Sequence, residues 1–341
     1  MIYKIFLFLS LVFCQNFPEV GNTNSLDIAT WNIENFPKRN STSEYVYDIV
    51  EASNLDVIAL QEISEYNEFF NLVDNLDNWV GFRYSDSNYG ELAYLVNLEN
   101  ITIIQSPFSI LNQYDHYFAY RPPYVIKIDY EGNEIIIINV HFKCCGDGYL
   151  ENDYWDEEYR RQQASSLLKQ YIDLNYNDKR VIILGDMNDD ISDDPTNNVF
   201  SYFLNDAQNY FFSDTDIAEG PSDDWSFPNW PSHLDHILLT NEIFLMDSFS
   251  TDYTFTYKID NYMNGWQQYD YYVSDHRPVI ASFSFIALGD INSDYDINIL
   301  DITILIGYIL ENIYYVNADI NEDNGLNILD VIQLVDLIIN Q

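Results

Sequence analysis

Polar residues with the means to do chemistry gather at strand ends in five places in the first 290 residues. WNIEN carries Asn32 and Glu34, LQEI carries Glu62, NVHF carries His141, GDMND carries Asp186 and Asn188, and SDHRP carries Asp275 and His276. Asp235 adds a further carboxylate in HLDHI. Carboxylates and amides at the ends of neighbouring strands can hold Mg²⁺ or Mn²⁺, cations that take oxygen ligands and keep positions open for a phosphate. His141 and His276 lie beside or among these carboxylates, suited to proton transfer near neutral pH. Any one string is weak; their joint order is far harder to explain by chance.

A second set of oxygens repeats in the tail. Asp290, Asn292, Asp294, Asn298 and Asp301 fall at loop positions 1, 3, 5, 9 and 12, and Asp319, Asn321, Asp323, Asn327 and Asp330 repeat them 29 residues later. Calcium takes six to eight oxygens, and this spacing wraps a loop around it. An apolar helical stripe is expected after each loop: Ile302, Leu305, Ile306 and Ile309, then Ile332, Val335 and Ile338. Asn324 suits the left-handed turn at position 6 of the second loop; the first has Tyr295 there.

The elements that must position these residues alternate between short strands and amphipathic helices. Strands are expected over 26–33, 55–63, 91–97, 179–186, 233–240 and 276–285, with a hairpin over 124–142 turning at Gly132–Asn133. Helical spacing marks 43–53 and 157–174, and the acidic, loop-rich stretch 189–231 is expected to rim the site. Almost no linker, Ala287 and Leu288, separates this region from the tail.

The ordered motifs over residues 24–286 resemble the endonuclease/exonuclease/phosphatase superfamily, which includes deoxyribonuclease I. The resemblance implies a four-layer α/β sandwich with the site at one end of two central sheets. It implies Glu62 as principal metal ligand with Asn32 and Asp275 nearby, and Glu34, on the same strand face as Asn32, as a second acidic contact. It makes His276 the base oriented by Asp235, with Asp186 and Asn188 positioning the water and phosphoryl oxygens. His141 would stabilise charge with Glu91 as its carboxylate partner, and Arg121, in FAYRPP, would grip the scissile phosphate. Residues 289–341 resemble a type I dockerin, a small all-α module that implies Ca²⁺ in both loops and a cohesin-like protein partner.

Charge and ends bound the partners. With 55 Asp and Glu against 14 Lys and Arg the net charge is −41, which excludes a broad basic nucleic-acid surface, and 289–341 contains no Lys or Arg. Arg121 and Arg277 suggest a focused phosphate grip instead. Residues 1–15, with Lys4 ahead of an apolar run from Ile5 to Phe13, read as a signal peptide, and no other stretch has the length of a membrane helix; the mature chain is expected to be secreted, periplasmic or cell-surface. Cys144 and Cys145 are then the remaining cysteines, either a vicinal disulfide or two free thiols. DNA or RNA is the leading substrate. A sphingomyelinase-like or inositol-phosphate-type phosphoesterase is the alternative, the former using an exposed aromatic hairpin within 255–272, and a non-catalytic binding protein is a third reading.

Overall fold

β-Branched runs build the central strands, because branched side chains fit a pleated surface buried on both faces. The computed structural model describes residues 16–84, 91–245, 254–285, 288–292, 294, 296–321 and 323–340. The expected signal peptide, Tyr295 and Ala287 lie outside the described residues. Twelve strands are described: β1 (Leu26–Phe36), β2 (Val57–Ile63), β3 (Trp79–Arg83), β4 (Glu91–Asn97), β5 (Ile101–Ser109), β6 (Tyr124–Tyr130), β7 (Asn133–His141), β8 (Arg180–Asp186), β9 (Tyr210–Phe212), β10 (Asp235–Thr240), β11 (Thr254–Thr256) and β12 (Val279–Phe283). They form two six-stranded sheets, in the orders β11-β12-β1-β2-β4-β3 and β5-β6-β7-β8-β10-β9. β1 runs parallel to β2 and β7 to β8, while β2–β4, β8–β10 and β6–β7 are antiparallel, so both sheets are mixed.

Buried polar groups join the sheets face to face. Tyr94 Oη on β4 donates to Tyr124 O at 2.7 Å, and Asn139 Nδ2 on β7 donates to Leu60 O and Ala93 O at 3.0 Å each. Outside this interface, Val46, Ile49 and Val50 of the helix Thr42–Ser53 pack on the first sheet. Ala164, Leu168 and Ile172 of the helix Glu157–Asn175 pack on the second. That helix starts where Asp156 accepts from Tyr159 N at 2.7 Å, with Glu157 and Glu158 favouring the positive end of its dipole. The result is the helix–sheet–sheet–helix sandwich of the deoxyribonuclease I-like fold.

Residues 255–272 do not form an aromatic hairpin. They end β11 and continue through the 3₁₀ turn Ile259–Tyr262 into the helix Trp266–Tyr272, because Tyr257, Met263 and Tyr269 turn into the core. The chain divides into two compact units, with the sheets in the larger and residues 283–341 in the smaller. In the smaller unit the helices Ile299–Glu311 and Ile328–Asn340 pack through Ile302, Leu305 and Leu334, supported by Ile309, Val335 and Ile338. Ile306 and Ile332, expected in that stripe, are exposed. Both helices are apolar around most of their circumference, so spacing alone does not select the buried face.

Candidate active site

Strand register brings three of the expected residues abreast. His141 at the end of β7 pairs with Asp186 at the end of β8, and Asp186 pairs with Asp235 at the start of β10. Residues directly opposite one another point to the same face of a sheet. Gly185 lets β7 and β8 close up beside them: a Cβ there would sit 1.9 Å from Val140 O. From the other sheet, Asn32 Nδ2 at 2.9 Å reaches Asp186 Oδ2 and at 3.2 Å reaches Glu62 Oε1. Ser274 Oγ donates to Asn32 O at 2.6 Å and accepts from His276 N at 3.0 Å, which ties the SDH turn to β1.

The strands break their regular form where they supply the candidate ligands. The β1–β2 register shifts between Asn32 and Phe36, and Glu34, Asn35 and Glu62 have φ of 37°, 52° and 64°. Such bulges re-aim side chains at functional edges. Glu34 therefore does not share the face of Asn32 by strand alternation; its backbone N–H instead donates to Asn32 Oδ1 at 3.0 Å. Glu62 is held by two donors, Asn32 Nδ2 and Asn35 N.

Glu34, Glu62, His141, Asp186, Asn188, Asp275 and His276 line one cavity of about 430 Å³, with Cys144, Cys145, Phe227 and Trp230 on its walls. His276 Nδ1 lies 2.7 Å from Asp235 Oδ2, and its Nε2 lies 3.9 Å from Asp186 Oδ2. Burial lowers the His276 pKa, but Asp235 and Asp186 outweigh it and raise it to about 10. Burial pushes Asp186 up to about 7 against the pull of His276. Burial, with Arg121 and His276 adding like charge, holds His141 well below its ordinary value, so this ring is neutral. Its Nε2 lies 3.4 Å from Asp186 Oδ2. Asn188 N donates to Asp186 Oδ1 at 3.1 Å and Asn188 Nδ2 to Phe142 O at 3.4 Å.

The donor set fits a hard divalent cation. Glu34, Glu62, Asp186 and Asp275 present carboxylates to one cavity; burial raises the pKa of both Asp275 and Glu34, with Glu62 adding to it at Asp275 and Asp275 adding to it at Glu34. Arg121 Nε, His141 Nδ1 and Asp235 Oδ1 are buried without hydrogen-bond partners among the described residues, and such groups concentrate at functional sites. Asp186, Asp235 and His276 also bring ligand atoms within 4.8 Å of one another.

Other expected positions differ. Arg121 does not line the cavity; its Nη2 donates to Phe142 O at 3.1 Å, and its charge acts on Asp186, Glu62 and Glu91 from behind the wall. Arg277 is no phosphate grip, because its guanidinium makes two 2.8 Å bonds to Asp260 and a third to Asp223 O. Glu91 is buried on β4 without a hydrogen bond to His141 Nδ1. Lys38, four residues after Glu34, was not foreseen as part of the site: it pairs with Glu34 Oε2 and with Asp270 Oδ1. Phe227 and Trp230 were not foreseen individually, and Trp230 is 79% exposed.

A second buried cluster was also missed. Asp214 Oδ2 lies 3.0 Å from His233 Nε2 and 2.6 Å from His236 Nδ1, while His236 Nε2 lies 2.8 Å from Asp189 O. His233 and His236 stand three residues apart in HLDHI, but Asp214, which joins them, lies 19 residues before His233 with no local signal of its own.

In the smaller unit the two loops share one geometry. Asp301 Oδ1 accepts from Ile291 N and Asn292 N, and Asp301 Oδ2 accepts from Asn298 N at 2.8 Å. Asp330 accepts from Asn321 N and Asn327 N at the matching positions. Asp290, Asp301, Asp319 and Asp330 are buried in a tail without cationic side chains, which suits Ca²⁺, since buried charges are paired or coordinate metals. Asn324 has the left-handed φ of 66° expected at position 6.

Comparison with known proteins agrees with this geometry. A dockerin type I domain model matches residues 288–338. The D. rerio TDP2 complexed with single-strand DNA product superposes with a TM-score of 0.58 at 15% identity, covering 76% of this chain and 99% of that one. The human nocturnin catalytic domain with bound sulfate gives 0.52 at 14%, covering 77% and 94%. The endonuclease/exonuclease/phosphatase from Bacteroides vulgatus gives 0.51 at 13%, covering 76% and 98%. These likenesses establish the fold; no curated protein matches the chain in sequence. The family model for the endonuclease/exonuclease/phosphatase family matches residues 29–276, and the chain belongs to that family.

Proposed function

We propose that this protein is a secreted, metal-dependent phosphodiesterase that cleaves nucleic acid, most readily as an endonuclease, and is attached to a protein partner through its dockerin. One observation carries the hydrolytic reading: His276, backed by Asp235, opens onto a cavity that also presents Glu34, Glu62 and Asp275. Glu62, Asn32 and Asp275 would hold the divalent cation, with Glu34 committed on Oε2 to Lys38 and Asp275 N. When bound, such a cation supplies Lewis-acid stabilisation of charge on the phosphate. His276 Nε2 takes the proton of the attacking water, and Asp235 holds Nδ1 so that Nε2 faces the cavity. His276 can do this only when the carboxylate charge that raises its pKa is offset. Asn188 and Asp186 orient the water and phosphoryl oxygens, and neutral His141 stabilises the leaving oxygen by hydrogen bonding.

Two features support nucleic acid as substrate. Phe227 and the exposed Trp230 offer ring faces at the cavity wall where bases can stack, a grip that does not need a basic surface. The D. rerio relative of the same fold was captured with a single-strand DNA product. The lipid reading has lost its aromatic hairpin. Export is supported by the N-terminal apolar run, and among the described residues no helix is long and apolar enough to cross a membrane. Attachment is supported by apolar side chains exposed at equivalent positions of the two repeats, Ile299 and Leu300 then Ile328 and Leu329, which suit a cohesin-like surface.

The test is a panel with Mg²⁺, Mn²⁺ or Ca²⁺ on plasmid, single-stranded DNA, RNA, sphingomyelin and inositol phosphates. Nucleic-acid cleavage with inert lipids supports the proposal. Turnover confined to sphingomyelin or inositol phosphates overturns the nuclease assignment, and no hydrolysis of any substrate favours a binding protein.

A further inference from the structure

Cys144 and Cys145 are both free and exposed, and both line the cavity that holds His141, Asp186 and His276. Neighbouring side chains in an extended chain point to opposite sides. Here Cys145 has φ of 70°, which turns its side chain back, and the two sulfurs lie 3.0 Å apart. That conformation is disfavoured for a residue with a Cβ and must be held by its surroundings. Arg161, buried in the helix Glu157–Asn175, holds it: its Nη1 donates to Lys143 O at 2.8 Å and Cys145 O at 2.7 Å, while its Nε bonds Asp189 Oδ2 at 2.7 Å. Gly148 N donates to Glu158 Oε1 at 2.7 Å, which pins the far side of the loop to the same helix. The near side begins at Phe142, whose carbonyl accepts from Arg121 and Asn188.

We propose that Cys144 and Cys145 form a redox-active dithiol that reacts with low-molecular-weight disulfides and, in closing to a vicinal disulfide, reshapes the wall of the catalytic cavity. Cys144 is the attacking thiol, because Lys143 Nζ lies 3.6 Å from its sulfur while the Cys145 thiol donates to it. The Cys144 thiolate attacks one sulfur of the small disulfide, forming a mixed disulfide and releasing one thiolate. The Cys145 sulfur, once deprotonated, attacks Cys144, forming the intramolecular bond and releasing the second. The protein gives up two electrons and two protons, and the small disulfide becomes two thiols. Closing the sulfurs from 3.0 Å to a bond moves both side chains on the cavity wall, in the loop whose carbonyls Arg161 holds. The effect on catalysis rests on the hydrolase reading above; ring formation does not.

The test equilibrates the full-length protein with reduced and oxidised glutathione over a range of ratios. Intact mass and thiol titration read the ring, and phosphodiester hydrolysis is measured on the same samples. The expected result is loss of two hydrogens without an added glutathione, reversed by excess thiol, with a drop of about tenfold or more in hydrolysis. Cys144→Ser and Cys145→Ser should each fail to lose two hydrogens, and variant molecules that carry no added glutathione should hydrolyse at the same rate at every glutathione ratio. Stable mixed disulfides, two unreacted thiols, or a closed ring with unchanged hydrolysis overturn the proposal. If the reduced protein cleaves nothing in the panel, the hydrolase reading fails while the mass measurement still decides the ring.

Discussion

Two buried Asp–His assemblies stand on either side of β10, and they put the same residue types to opposite uses. In one, Asp235 holds His276 by a single ring nitrogen, and the other nitrogen faces a cavity. In the other, Asp214 meets His233 and His236, and every ring nitrogen is engaged: His233 Nδ1 accepts from Ser226 N at 3.3 Å, and His236 Nε2 meets Asp189 O. Asp214 Oδ1 also accepts from Ile237 N at 2.8 Å. Both assemblies bring ligand atoms within 4.8 Å of one another. Proximity and burial therefore do not distinguish the two assemblies; the unused valence of His276 does.

The sharpest way to break the comparison is to remove each histidine. His276→Ala should lower turnover by about 10²–10⁴-fold, the usual worth of a positioned acid–base group. Circular dichroism should show the fold kept, since water from the cavity can reach the space left behind. Near-normal turnover by His276→Ala, measured on whichever phosphodiester the wild type cleaves, would sink its assignment as base. Asp214→Asn should act on stability instead. It leaves His236 buried without its counter-charge, at a cost of about 3–5 kcal/mol, read as a fall in the denaturation midpoint. The folded fraction should keep most of its activity.

A pH titration sharpens the same contrast. Burial works against both charged forms, but the pair outweighs it: His236 is raised to about 9, and Asp214 lies well below the usual carboxylate range. A raised histidine contributes stability that is complete below its ordinary 6.5 and lost as pH climbs through 9. A depressed aspartate contributes stability that is present above its ordinary 3.8 and lost as pH falls toward the folded value. The two shifts describe one interaction and are not added. Unfolding by urea should show wild-type stability falling between pH 6.5 and 9, and Asp214→Asn should flatten that fall. An unchanged slope in the variant would assign the pH dependence elsewhere.

The contrast also marks what the sequence could reveal. His276 and Asp235 were legible because each lies in a short string at a strand end, where alternation and burial fix the neighbours. Glu62 was legible for the same reason, although the left-handed turn that aims it was not. Asp214 was illegible: it sits in a loop-rich stretch, and only the β10–β9 pairing brings it near His233 and His236. Arginines were legible as charges but not as contacts. Arg121 and Arg277 looked alike in the chain, yet the fold gives one a backbone carbonyl near the cavity and the other an ion pair with Asp260. Helix faces in the tail were legible in part: Ile302, Leu305, Ile309, Val335 and Ile338 join the core there, whereas Ile306 and Ile332 are exposed, because apolar residues also lie outside the buried stripe.

The smallest test concerns the rings that cover each assembly. Phe227 lies against His276 with centroids 4.8 Å apart and planes tilted by 43°. Phe212 meets His236 edge-on at 5.8 Å, and Phe200 does so at 5.6 Å. Aromatic contacts of this kind are worth about 0.5–1.5 kcal/mol beyond the area they bury. At His276 that energy adds to the single Asp235 bond in fixing the direction of Nε2, so Phe227→Leu should cost about 2–10-fold in turnover with little change in melting temperature. At His236 the ring direction is already set by two hydrogen bonds, so Phe212→Leu should lower stability by about 1 kcal/mol and leave turnover alone. Equal effects of the two substitutions on turnover would mean that His276, like His236, is held by its hydrogen bonds alone, and Phe227 would then be a wall of the cavity rather than a guide for the base.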